Sequence, residues 1–446
     1  MNAIDLQKKQ PDILLSDVVP WPEGPRASVR ISGGIITAPQ EHPREGERVF
    51  HLKDRLLLPG LVNVHCHPDK VGLAERSFNK SGTIDEARQR LREAKNHFTE
   101  QDVRERAEKF LRSSVMGGVT ALRAHVDIDP VVGLKSVRAL LKLREAYKDV
   151  LDIQIVAFPQ EGILEHKGTE DLLREALRMG ADVVGGHLSI SRSPQAMKDQ
   201  LDVVFLLAAE FDRDIDVHTD FGIDFDLAVS RHEDNKLYPD GLGVVHLAEK
   251  TIREGYQGRV TASHLCGLDS VPVELRRNVI DLLLKAELSV VALPGSNLYA
   301  HGRNDATGSR RGVAPIRELQ AAGVPVAVGP DNIRDPFNPY LGADLLLNSL
   351  LTAITCHMVT TEDFKTVLEY HTYAPARMMK LPRYGNEPGC DADLVVLEAK
   401  SLPDLLDGNR QPLLVLKRGR VVAHSEVTRS FTPQGLKEDL LWFEQS

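Results

Sequence analysis

The stretch LLLPGLVNVHCHPDK, residues 56–70, closes one apolar run at a Pro-Gly pair and opens another that ends in His65-Cys66-His67. Side chains along a strand repeat with period two, so His-x-His puts both imidazoles on one side. Two readings compete for this pair: surface histidines at a strand end, or the first two ligands of a metal ion. What the chain supplies on either side of the Pro-Gly pair decides between them.

Upstream, residues 12–58 read as short strands, ILLSDVV, ASVRISGGIITA and RVFHLKDRLLLPG, punctuated by Pro and Gly. Downstream the texture changes. Apolar β-rich runs, LVNVH, VTALRAHV, IQIVAF, DVVGGHL, DIDVHT, RVTASH, LSVVALP and VPVAVGPD, alternate with charged segments of helical period. Eight strand-like runs separated by helices indicate a closed parallel β/α barrel. After about residue 385 strand texture returns in CDADLVVLEA and PLLVLKRGRVVAHSE. Each terminal β segment is short for an independent unit. The expectation is one small discontinuous β-domain from residues 1–58 and 385–446, beside a barrel spanning 59–384.

Composition narrows the function. With 446 residues, 42% hydrophobic and 27% charged, the chain has ample material for a large core. A net charge of -9 and the lack of any basic run with interleaved aromatics argue against a nucleic-acid partner. The four cysteines are scattered with no CxxC pair, which speaks against a disulfide framework or a zinc knuckle. The opening MNAIDLQKKQPD lacks a signal-peptide stretch, and no run approaches the ~20 apolar residues that span a bilayer. A cytoplasmic protein acting on a small-molecule substrate, with no membrane partner, is expected; a homo-oligomer stays open.

In such a barrel, chemistry sits at the C-terminal strand ends. The eight runs end at His65 and His67, His125, Phe158-Pro159-Gln160-Glu161, His187, His218, His264, near Asn297, and at Asp331. A lone strand-end histidine is usually structural. The ordered set His-x-His, His, His, Asp on runs one, five, six and eight is another matter, because imidazole and carboxylate suit Zn²⁺ or Fe²⁺ with a position left for water.

The segments LPGLVNVHCHPDK, AHVDID, LDIQIVAFPQEGIL, DRDIDVHTD, GRVTASH, RRGVAPIRELQAAGVPVAVGPDN and GCDADLVVLEA resemble the amidohydrolase superfamily, and within it the cytosine deaminase family. The resemblance implies a deformed (β/α)₈ TIM barrel with a small β-sandwich domain formed by both chain ends. It implies one divalent metal ion per subunit, zinc or iron, held by His65, His67, His218 and Asp331. His264 would lie near the metal-bound water, and Asp331 would act as base. Related dinuclear enzymes bridge two metals with a lysine at the end of strand four. Here that end reads VVGGHLS, which agrees with one. A divalent metal lowers the pKa of its water from about 15.7 towards about 7–9. Asp331 and His264 are therefore the candidate catalytic pair for C–N hydrolysis of a nitrogenous heterocycle.

On the substrate side the resemblance points to Gln160, which otherwise is a turn residue satisfying its own backbone. Asn332 follows Asp331 at the same mouth. Lys70 has two readings, contact with an anionic or carbonyl group, or pairing with Asp69. The family's deaminases carry a glutamate three residues after the strand-five histidine, to protonate the ring nitrogen. Here that position is Phe221, in His218-Thr219-Asp220-Phe221. Asp224 or Asp226 could reach back to replace it, unless they are loop or helix N-terminal residues. Alternatively, the substrate needs no such acid because Asp331 alone moves protons, as in opening a cyclic amide or removing an N-alkylamine. A non-catalytic scaffold is the remaining alternative, and it has no reason to keep five such residues at one barrel end. Cytosine itself is a doubtful substrate.

Overall fold

The structure is a computed structural model. It describes residues 11–427 except 23, 39–41, 223–227, 232–235, 304, 407 and 409. Asp224 and Asp226 lie outside the described residues.

Before the Pro-Gly pair run β1 (Ile13–Pro20), β2 (Ala27–Ser32), β3 (Ile35–Thr37) and β4 (Arg48–Pro59). The next five strands are β5 (Leu61–Cys66), β6 (Val119–Asp127), β7 (Asp152–Phe158), β8 (Val183–His187) and β9 (Asp214–Thr219). A small antiparallel pair follows, β10 (Ser230–Arg231) and β11 (Leu237–Tyr238). The barrel resumes with β12 (Val260–His264), β13 (Ser289–Ala292) and β14 (Val326–Val328). The chain returns to β structure in β15 (Leu394–Leu397), β16 (Pro412–Lys417) and β17 (Arg420–His424).

All eight apolar runs downstream of the Pro-Gly pair are strands. They form one parallel sheet in the order β14-β13-β12-β9-β8-β7-β6-β5. An isolated parallel bridge between Cys66 and Asp331 brings the last strand end back to the first, so the barrel is nearly closed. Buried on both faces, these strands read as continuous hydrophobic runs rather than alternating ones; all nine residues of β6 are buried. The intervening helices are amphipathic and capped. In the helix Ile84–Lys95, Thr83 accepts a hydrogen bond from the Glu86 amide, Asp85 and Glu86 occupy the first turn, and Arg92 and Lys95 the last. Ala87, Leu91 and Lys95 bury its inner face.

The terminal strands form a single seven-stranded sheet, β17-β16-β15-β4-β1-β2-β3. Its own apolar core includes Ile13, Leu15, Ile31, Leu57, Leu394 and Leu416. β4 pairs with β1 in parallel and with β15 antiparallel, then passes through Gly60 straight into β5. A Cβ at Gly60 would stand 2.2 Å from Thr120 Oγ1, so only glycine fits this crossing. Among the described residues, no helix is long and apolar enough to cross a membrane.

Candidate metal centre and active site

β5 carries His65, and His67 lies just past its end, both buried. β9 presents His218 and β12 ends in His264. Beyond β14, Gly329 lets the chain close on the first strand; a Cβ there would lie 2.9 Å from His65 Cβ. The Asp331 amide then donates to the His65 carbonyl at 3.1 Å, fixing Asp331 beside the His-x-His pair. His264 (φ 81°) and Asp331 (φ 62°) both adopt left-handed backbone, which costs on the order of 1–3 kcal/mol each and is typical of functional positions.

Donor atoms of His65, His218, His264 and Asp331 all lie within 4.8 Å of one another. His67 joins them, its Nε2 being 3.1 Å from Asp331 Oδ1 and 3.3 Å from His218 Nε2. His65 Nε2 lies 3.4 Å from the same carboxylate oxygen. Neither His65 Nε2 nor Asp331 Oδ1 has a hydrogen-bond partner, although both are fully buried. Burial pushes His67 and His218 well below the usual histidine range and His264 down to about 4, so these rings are neutral at neutral pH. Burial alone would raise Asp331, but the facing His65 and His67 outweigh it and hold the carboxylate well below its usual range. A buried carboxylate among neutral imidazoles, with orphaned lone pairs aimed inward, is costly as it stands and is relieved by a cation. Three imidazoles and a carboxylate fit zinc or iron.

Hydrogen bonds behind this cluster set ring orientation. Ser263 Oγ donates to Asp216 Oδ1 at 3.1 Å, which leaves it to accept from His65 Nδ1, also at 3.1 Å. The proton is thereby placed on Nδ1 and the Nε2 lone pair faces the cluster. Asp216 is in turn held by Arg123 Nη1 at 2.6 Å. His264 Nδ1 faces Asn297 Oδ1 at 3.3 Å, directing its Nε2 into the cavity. Asn297 lies in the helix Pro294–Ala300 beyond β13, not at a strand end. His125 stacks on His65, with ring centroids 3.9 Å apart, and lies 3.3 Å from Asp216.

A cavity opens over the cluster. His67, His218, His264 and Asp331 line one side; Gln160, His187, Phe221, Asn332, Ile84, Arg88, Ala300, Ser296 and Phe337 line the rest. Lys70 is buried and donates to Gln160 Oε1, and its Nζ lies 2.9 Å from Asp127 Oδ1. Its partner is thus Asp127 and not Asp69, which instead accepts the Asp127 amide. Because a lysine only donates, Gln160 is left with its Nε2 hydrogens for the cavity. The Gln160 side chain does not bond its own backbone, so the turn-residue reading does not describe it. Its carbonyl accepts from His187 Nδ1 at 2.8 Å. Asn332 Nδ2 donates to buried Asp335 at 2.6 Å, which leaves Asn332 Oδ1 as an acceptor.

Phe221 packs its ring against His264 and His301, with centroids 5.1 and 4.6 Å away. Neighbouring Asp220 is occupied, accepting the Gly243 and Val244 amides at 2.7 and 2.9 Å at the start of the helix Gly243–Glu254. Sequence reasoning missed Asp216, Ser263, Arg123 and Arg88. Period two was the available signal for Asp216 and Arg123, which lie two residues before His218 and His125 on the same strand faces. Arg88 sits among the alternating charges of a helix and carried no signal.

The residues 82–423 match a model of the amidohydrolase family. The protein belongs to that family. It is 30% identical over 386 residues to the N-isopropylammelide isopropyl amidohydrolase of Pseudomonas sp. strain ADP, covering 84% of this chain and 88% of the relative. It is also 30% identical over 411 residues to a pterin deaminase of Rhizobium rhizogenes, covering 90% and 88%. Among solved structures, the 5-methylcytosine deaminase of Klebsiella pneumoniae superposes with a TM-score of 0.85 at 28% identity, covering 95% of this chain and 99% of that one. The chain is a hydrolase acting on C–N bonds, of a family whose members are metal-dependent.

Proposed function

We propose that the protein uses one divalent metal ion, zinc or iron, to hydrolyse the bond between a ring carbon and an exocyclic nitrogen of a small heterocycle. The observation carrying this reading is the convergence of buried His65, His67, His218 and Asp331 beside His264 at a cavity, with His65 Nε2 and Asp331 Oδ1 left without hydrogen-bond partners. His65, His67, His218 and Asp331 would hold the ion. When bound, such an ion supplies a water acidified towards neutral pH. Asp331, ionised, takes the proton of the attacking water and returns it to the departing nitrogen. The C–N electron pair leaves with that nitrogen as ammonia or an amine, and the hydroxyl left on the ring carbon passes its proton to the ring nitrogen to give the carbonyl tautomer. His264 Nε2 orients the attacking oxygen, while Gln160 and Asn332 offer a donor and an acceptor to the ring.

Cytosine is a poor fit in this reading, because Phe221 cannot protonate a ring nitrogen. The apolar surface of Phe221, Ile84, Ala300 and Phe337 favours a second reading, in which the leaving group is an alkylamine or the substrate a cyclic amide. The test is a screen of metal-loaded protein against aminoheterocycles, alkylaminotriazines and cyclic amides. Ammonia, amine and ring-opened product are assayed separately, with elemental analysis alongside. Release of ammonia or amine with one metal per chain is expected. Two metals per chain, none after metal supplementation, or no turnover across the panel would overturn it.

A further inference from the structure

Arg88 stands apart from its neighbours. The helix Ile84–Lys95 carries three arginines. Arg90 is held by Glu86 at 3.2 Å and Glu93 at 3.0 Å, and Arg92 by Glu161 at 2.7 Å. Arg88 donates no hydrogen bond to any described residue. The one described carboxylate within 4 Å is Asp85, at 3.8 Å, and that side chain is 96% exposed. Yet Arg88 is two-thirds buried, with 30% of its side chain accessible, and it lines the same cavity as His218 and Asp331. Four residues before it, Ile84 lines that cavity too, so one face of the helix looks into it.

A guanidinium keeps its charge and presents five donors in a rigid fork. Holding one in a partly closed cavity without a carboxylate is unfavourable unless something else fills the fork. The other charged groups facing it do not. Glu161 is engaged by Arg92 and Lys95, and His187, the nearby ring, spends its Nδ1 hydrogen on the Gln160 carbonyl. Phe221 and Phe337, which line the same cavity, are apolar. Burial also pulls the Arg88 pKa down.

We infer that Arg88 determines specificity by binding an anionic oxygen of the substrate, a ring oxyanion or a carboxylate, on the edge facing away from the metal ligands. This rests on the cavity being the substrate site, as proposed above. It adds a charge requirement: the preferred heterocycle is acidic, with its scissile C–N bond towards Asp331 and its anionic oxygen towards the helix Ile84–Lys95. A charge-assisted contact of this kind is worth about 10- to 100-fold in affinity.

Equilibrium binding to metal-loaded protein tests it without turnover, using product-like rings. Orotate supplies a carboxylate and barbiturate a ring oxyanion, each compared with neutral uracil in wild type and in Arg88→Met. At least one acid should bind wild type about 10-fold or more tighter than uracil. Arg88→Met should erase that preference, bringing the acids to within about 2-fold of uracil in the same variant, with the thermal midpoint checking that the fold is intact. A preference confined to orotate identifies the carboxylate, and one confined to barbiturate the ring oxyanion. Equal affinity for acids and uracil, no measurable binding of either acid, or a preference that survives Arg88→Met overturns the inference. Failure of the function reading shows separately, as absent turnover or a wrong metal count.

Discussion

The two walls of the cavity are built on different terms. On one, His65, His67, His218, His264 and Asp331 are fixed by strands, by the close approach at Gly329 and by a relay from Arg123 through Asp216 and Ser263. On the other, Phe221, Phe337, Ile84 and Arg88 come from a loop or a helix; among the described residues the Phe221 and Phe337 amides are held by Ser189 Oγ and Asp335, and the Arg88 side chain by no hydrogen bond. The first wall has hydrogen-bonded constraints on His65, His264 and Asp331, so a change there disturbs chemistry. The second has few, so a change there alters which molecule is accepted. A family that keeps one wall and varies the other can keep its reaction while exchanging its substrate.

The most severe challenge to this contrast is Asp331→Asn, which removes both a candidate ligand and the proton acceptor. Turnover of the preferred substrate should fall by roughly 10⁴-fold or more in a kcat measurement. Near-full activity would mean that the base lies elsewhere. His264→Asn should cost roughly 10²-fold in kcat while metal content by elemental analysis stays at the wild-type level. Loss of the metal as well would make His264 a ligand and enlarge the first wall. On the second wall, wild type should deaminate cytosine slowly, and Phe221→Glu should raise kcat/KM for cytosine by roughly 10- to 100-fold by supplying the missing acid. Efficient cytosine deamination by wild type would show that the phenylalanine has been misread. The smallest effect is expected from Ser263→Ala, which frees His65 Nδ1. Metal affinity measured against a chelator should weaken by about 10-fold, with the fold intact. Unchanged affinity would mean that strand geometry alone orients His65.

The difference between the walls also explains what could be read from the chain. All eight barrel strands were visible because strands buried on both faces are uninterrupted β-rich runs. The convergence of His65, His67, His218, His264 and Asp331 followed because a parallel barrel collects its strand ends at one mouth. The joining of the chain ends into one sheet was legible from two β segments each too short to stand alone. Side-chain partners were not. Lys70 reads as a contact for an anionic or carbonyl group or as a partner of adjacent Asp69, whereas strand neighbours supply Asp127 and Gln160, 57 and 90 residues away. Arg88 gave no signal, because a charged residue on an amphipathic helix reads as solvent-facing until the helix is docked.

The crossing at Gly60 has a consequence for the order in which the molecule can be made. The strand bearing His65 continues directly from β4, and β4 is flanked by β1 and by β15, whose Val396, Val395 and Leu394 pair with Leu57, Leu58 and Pro59. The Gly60 amide itself donates to the Asp393 carbonyl at 2.8 Å, and its carbonyl accepts from Tyr384. On the ribosome, His65 and His67 emerge more than 300 residues before these supports. The earliest-made pair of candidate ligands is therefore among the last to be locked in place, and a nascent chain released short of β15 carries every candidate ligand while its first barrel strand lacks the β15 side of its anchor.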